Sequence, residues 1–154
     1  MRGNDLMMIS TKGDYGVRAL IDLALHDGEG PVQRAEIAER RHIPESYLDH
    51  LLAQLRRDGF IRSTRGPGGG HQLAKTPTEI CLLHVLESLE GSLSPIGCVH
   101  KNAADDEHET LCGQQWVWRE LYDEMRGKLA AISIADLVKH EQERVQKAAP
   151  SYSI

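Results

Sequence analysis

Six residues, Arg65-Gly66-Pro67-Gly68-Gly69-Gly70, constrain the fold more than any other part of this 154-residue chain. They join two stretches of β character, Phe60-Ile61-Arg62-Ser63-Thr64 and His71-Gln72-Leu73-Ala74-Lys75. Glycines at 66, 68, 69 and 70 permit a tight turn and let the backbone come close to another molecule. A glycine-rich loop can also cradle a nucleotide phosphate, but that use needs a helix N-terminus after the loop. Here a second strand follows, and no Gly-Lys-Ser/Thr ending is present.

The flanking pattern supplies the rest of the fold. Tyr15, Ala19, Leu20, Leu23 and Ala24 form an apolar stripe that predicts a helix at about 12–27, with Thr11 and Asp14 as a capping box. After the turn at Asp27-Gly28-Glu29-Gly30-Pro31, a short helix is expected over 33–40 with Ala35, Ile37 and Ala38 inside. Arg41-His42-Ile43 makes a turn, and Pro44 opens a helix at about 44–58 whose core face is Leu48, Leu51, Leu52 and Leu55. Gly59 stops that helix ahead of the hairpin. Two short helices, a tight turn and a glycine-tipped hairpin are the profile of a winged helix-turn-helix over 10–77. Beyond the break at Thr76-Pro77-Thr78, residues 78–150 predict a helix at 80–90, a loop at 91–111, a long helix at about 112–130 and a last helix capped by Ser133 and Asp136. The expected class is therefore mainly α, with a two-stranded wing and a long C-terminal dimerisation helix.

Net charge is −5, which alone argues against a polyanionic partner. The distribution of charge argues the other way. Residues 1–77 carry 11 Lys and Arg against 10 Asp and Glu, whereas 78–154 carry 7 against 13. Between 54 and 75 there are five basic residues and one acid, a local patch that phosphates would feel. Aromatic content of 5% is too low for a single-strand stacking surface. No apolar run approaches membrane-spanning length and no secretory leader opens the chain, which points to the cytoplasm. No nucleophile, base or carboxylate pair has motif-grade spacing, so an enzyme is disfavoured.

In a helix-turn-helix the first turns of the second helix meet base edges and phosphates. Ser46, Tyr47, Asp49 and His50 occupy those turns. Ser46 and Tyr47 suit phosphate register, while Asp49 and His50 suit base edges, because a carboxylate accepts from cytosine N4. Arg56, Arg57 and Arg62 are placed for backbone contacts, and Arg65 at the wing tip for the minor groove, with Gly68 and Gly69 beside it. Lys12, at the start of the first helix, joins the same set of expected double-stranded DNA contacts. Trp116, Leu121, Met125 and Leu129 make a stripe too apolar for an isolated surface helix, so a homodimer is expected through 112–130.

Several stretches resemble the IscR/NsrR/CymR-type family of bacterial winged-helix regulators. They are Ser10-Thr-Lys-Gly-Asp-Tyr-Gly-Val-Arg-Ala-Leu, Ser46-Tyr-Leu, Leu52-Ala-Gln-Leu-Arg-Arg-Asp-Gly-Phe-Ile, Arg65-Gly-Pro-Gly-Gly-Gly, then Cys98, Cys112, Trp118 and Ser133-Ile-Ala-Asp-Leu. The resemblance implies a homodimeric transcription factor, expected to repress, that pairs through its long C-terminal helix and reads a palindromic operator. It also implies an iron–sulfur sensor at 98–112. Iron–sulfur members carry three cysteines in this loop and a histidine three residues after the last. Cys98 and Cys112 match the first and third cysteines, the middle one is missing, and Gln115 stands at the histidine position. His100 and His108 lie between and could complete the ligation of a 2Fe-2S cluster. The same four residues by type could hold zinc, and a thiol switch, an idle loop in a regulator that senses a partner protein, or a metal-binding or redox protein with a merely structural wing also fits. Cys81 reads as a buried structural thiol, His84 as a surface residue, and Trp116 and Trp118 as packing groups.

Overall fold

Helix α1 (Thr11–Leu25) is the hub of the molecule, packing against four other helices. The structure, a computed structural model, describes residues 9–95, 99 and 113–150. Around α1 stand α2 (Arg34–Arg41), α3 (Glu45–Arg57), α4 (Leu82–Glu90) and α6 (Ile134–Ala148). Strands β1 (Ile61–Thr64) and β2 (Gly70–Leu73) form the wing, and α5 (Gln115–Ala130) packs on α4. The winged helix-turn-helix expectation is met, with element limits within about three residues of the sequence reading.

One core joins α1, α2, α3, α4, α6 and the wing root. Ala19, Leu20 and Leu23 of α1 meet Ile37 of α2, Leu48, Leu51 and Leu55 of α3, Phe60 and Ile61 at the wing root, Val85 and Leu89 of α4, and Ile134 of α6. A second cluster joins Leu82, Leu83 and Leu86 of α4 to Leu93, Val99 and Tyr122. Ala35, expected inside, is exposed, because the eight-residue α2 turns only Ile37 and Ala38 inward. Cys81 is half-buried, its Sγ 3.5 Å from the Ala130 carbonyl, and His84 is exposed as expected.

The helix ends show where local reading fell short. The N-cap of α1 is Ser10, which puts Gly13 at the reciprocal position and Asp14 one residue too late to close a capping box. Asp14 instead pairs with Arg18 at 2.9 Å. The backbone N–H groups of Ser10 and Gly13 donate to Oε1 of Glu90, at 2.9 and 3.0 Å, and the Ser10 hydroxyl donates to the same oxygen. The last residue of α4 thus caps α1. A Cβ on Gly13 would lie 2.2 Å from that carboxylate oxygen, so the close approach requires glycine.

Two further capping boxes escaped the sequence reading, Gln33 with Glu36 and Thr76 with Glu79, the latter closing a 3-10 turn at Pro77–Glu79. The expected box at Ser133 and Asp136 is present. The turn between α2 and α3 holds His42 at φ 54°, a left-handed conformation uncommon for a residue with a side chain.

Candidate nucleic-acid interface

Helix α3 has one buried face, Leu48, Leu51, Leu52 and Leu55, because apolar residues recur at three- and four-residue spacing. The opposite face presents Ser46, Asp49, His50, Arg56 and Arg57 to solvent. Pro44 is the N-cap, and Gly59 at φ 83° ends the helix while Phe60 N donates to the Leu55 carbonyl at 2.9 Å. Tyr47 is half-buried, its ring edge-on to Tyr15 of α1 at 5.6 Å. Arg18 lies over the Tyr15 ring, 5.7 Å from its centre. Lys12, in the first turn of α1, is half-buried.

The wing is an antiparallel hairpin in which Ile61 faces Leu73 and Thr64 faces Gly70. A one-residue third strand joins it: Val32 and His71 exchange backbone hydrogen bonds of 2.9 and 2.8 Å. Glycine is forced at two positions here. A Cβ on Gly69 would sit 2.3 Å from the Thr64 carbonyl oxygen, and one on Gly70 would sit 2.5 Å from that of Val32. Gly69 is buried and its N–H donates to Gly66, which places it in the scaffold of the turn, while Gly68 is exposed at the tip. Arg62 and Arg65 are exposed, on β1 and at the tip. His71 is half-buried in β2 opposite Ser63, with Ser63 Oγ 2.8 Å from its Nδ1. Burial, with Arg56 and Arg34 nearby, holds its pKa below the usual imidazole value, which favours the neutral ring.

The structure therefore gathers Ser46, Asp49, His50, Arg56 and Arg57 on one helix face with the wing residues Arg62 and Arg65 on the adjacent hairpin. Two polar groups that organise the helix pair were missed. Arg34, at the first position of α2, bonds both Glu45 and Asp49 of α3: its Nε donates to Glu45 at 2.9 Å and its Nη1 to Asp49. Those bonds, Asp49 foremost, raise its pKa. A cation at a helix N-terminus opposes the helix dipole, and that mismatch was the available signal. Asp22 is the other. It is 1% exposed, accepts a two-pronged bond from Arg40 at 3.0 and 2.8 Å, and accepts from Arg41 at 3.1 Å. Arg41 also reaches Glu141 of α6 at 2.7 Å. An acid at the Tyr15–Ala19–Asp22–His26 spacing, on the apolar face, was its signal.

Cys98, Cys112, His100 and His108 lie outside the described residues. Val99, between two of them in sequence, is buried among Leu82, Leu86 and Tyr122. Gln115 is the first residue of α5. Among the described residues no group of three or more His, Cys, Asp or Glu could hold a metal. On α5, Trp116 is 66% exposed and Leu121 45%, whereas Trp118 packs at the second cluster with its indole N–H on Gln114.

A helix-turn-helix with an exposed second helix and an adjoining glycine-tipped hairpin defines a winged helix-turn-helix protein. Residues 9–140 match the Rrf2 family, described as iron-dependent transcriptional regulators, and the chain belongs to that family. Among its relatives is the HTH-type transcriptional regulator IscR of Photorhabdus laumondii, 38% identical over 136 residues, covering 88% of this chain and 82% of that one. IscR of Escherichia coli O1:K1 is 35% identical over 88% of this chain and 83% of its own. Among solved structures, IscR of T. potens superposes with a TM-score of 0.75 at 35% identity, covering 94% of both chains. CymR, the global cysteine regulator of B. subtilis, superposes with a TM-score of 0.71 at 32% identity, covering 86% of this chain and 97% of its own. Among the described residues no helix is long and apolar enough to cross a membrane.

Proposed function

We propose that the chain is a non-enzymatic, cytoplasmic, homodimeric repressor. It binds a palindromic double-stranded operator through α3 and the wing, with affinity set by a 2Fe-2S cluster in the 98–112 loop. The observation that carries the DNA reading is the shared exposure of Ser46, His50, Arg56, Arg57, Arg62 and Arg65 on α3 and the adjoining hairpin. Phosphate contacts from the arginines would set register, and the first turns of α3 would read bases. The exposed Trp116 and Leu121 of α5 support pairing with a second copy, and a dimer presents two recognition helices to half-sites one helical turn apart. The domain division at 77/78 is functional in this reading, since a single core crosses it.

Two thiolates, Cys98 and Cys112, and two imidazoles, His100 and His108, form a donor set that suits a two-iron cluster. Bound there, the cluster would supply one-electron redox chemistry and a site that oxidants can dismantle. The chain's own residues offer a route from the loop to the reading face. Val99 packs on Leu82 and Leu86 of α4. Near its other end α4 grips α3: Gln54 donates to the Ser88 carbonyl at 2.6 Å, and the Ser88 hydroxyl bonds Asp58. A shift of α4 would thus tilt the recognition helix.

The test begins with protein purified without oxygen and reconstituted with iron and sulfide, then offered a random duplex library. Visible absorption is expected, lost in Cys98→Ala and Cys112→Ala, with operator affinity differing by roughly 5- to 150-fold between loaded and cluster-free dimers. Arg65→Ala should weaken the selected duplex by about 1–3 kcal/mol at matched salt. Colourless protein holding stoichiometric zinc or no metal would sink the cluster reading; affinity indifferent to Arg65 would sink the wing contact.

A further inference from the structure

Arg34 does something unusual for a residue in the first turn of a helix. It spans α2 and α3, with Nε and Nη2 on Oε1 of Glu45 at 2.9 and 2.7 Å and Nη1 on Oδ1 of Asp49. Glu45 and Asp49 are one turn apart on α3, so without a counter-ion they repel each other and any phosphate approaching that turn. All three side chains are about half exposed, at 42%, 48% and 51%. Exposed ion pairs contribute little to folding stability. The consequence of this one lies in charge and orientation at the face that meets DNA.

A carboxylate has two oxygens, and the guanidinium takes one of them. Oδ1 of Asp49 is held by Arg34, and among the described residues Oδ2 is left for a ligand. We propose that Arg34 is a positioning residue for base readout: its fork fixes the Asp49 carboxylate so that Oδ2 accepts from the amino group of a cytosine, while its charge cancels part of the repulsion between the acids and the phosphates. The inference rests on the DNA-binding reading above and deepens it. Acceptance from cytosine N4 by an acid is a recognised pairing in the major groove. A planar, pre-formed fork holds a carboxylate in a way a lysine ammonium cannot.

The experiment uses full-length protein and the best duplex enriched from a random library, with affinities measured for every single-base variant at fixed salt. Asp49→Ala should lose discrimination of roughly 5- to 150-fold at one base pair. Arg34→Gln should lose most of that same discrimination at that same pair. Arg34→Lys should recover overall affinity but not discrimination. The double variant should discriminate no worse than Asp49→Ala alone, as expected of residues acting through one contact. An even loss of affinity across all duplexes in Arg34→Gln, with base preference intact, would make Arg34 a phosphate contact and overturn the proposal. So would loss at a different base pair from that of Asp49, or no loss of preference in Asp49→Ala. If the unaltered protein enriches no duplex, the DNA-binding reading fails and takes this inference with it. If duplexes are enriched and Arg34→Gln leaves their ranking unchanged, only this inference fails.

Discussion

Helices α1 and α5 are nearly equal in length, 15 and 16 residues, and opposite in their situation. Helix α1 buries six residues, including a carboxylate, and contacts on several sides leave it little apolar surface. Helix α5 buries only Tyr122, and carries Trp116 and Leu121 in the open. Both have amphipathic sequences, so amphipathicity alone does not say where an apolar stripe finds its cover. For α1 the cover lies within the chain. For α5 the described residues leave Trp116 and Leu121 uncovered, and the second copy proposed above would cover them.

The comparison breaks most visibly at Asp22. Replacing it with Ala strands Arg40 and Arg41 around a carboxylate-shaped gap. Loss of one partner from a buried ion pair costs about 3–5 kcal/mol, and the partial exposure of both arginines places this case near 3. Urea unfolding should register that loss; a change under about 1 kcal/mol would mean the network is dispensable. Helix α5 should respond in the opposite way. Leu121→Asp is expected to leave helix content intact by circular dichroism while light scattering falls to the protomer mass of 17.2 kDa. A variant that unfolds instead would show that α5 is held from within. The smallest effect is expected at His42. Its φ of 54° suits glycine, and His42→Gly should stabilise the fold by about 0.5–1 kcal/mol without altering assembly or duplex binding. Destabilisation would mean the side chain has an unrecognised anchoring role.

Much of the reading half was written locally. The leucine spacing of α3, the glycine stop at Gly59 and the glycine-rich tip each depend on neighbours a few positions away, and each is found where the pattern put it. The two missed groups act at a distance. Arg34 meets Asp49 fifteen positions on, and Asp22 meets Arg40 and Arg41 eighteen and nineteen on. A polar residue's partner across a fold leaves no periodic trace, only an oddity: a cation where a helix dipole disfavours it, or an acid on an apolar face. The capping of α1 fails for the same reason. A local rule chose Asp14, while the group that does the work arrives from the far end of α4. At the proposed sensor loop the residue types are plain but their completion is not, since Gln115 occupies the position where the family resemblance expects a ligand.

The cap on α1 bears on how the chain acquires its structure during synthesis. Residues 10 and 13 must wait for residue 90 before their N–H groups are satisfied, and the Arg41 bound to Asp22 is followed by its partner Glu141 a hundred positions later. The ribosome delivers the first helix long before either partner exists. An isolated helix of this length is marginal in water. The nascent α1 is therefore expected to fray at its N-terminus until α4 is out of the exit tunnel, and of the helices packed on α1 the last to arrive is α6. Contacts this distant in sequence slow folding. A chain cut short after the wing would keep every α3 and wing residue proposed to read DNA and lack the carboxylate that finishes the helix behind them.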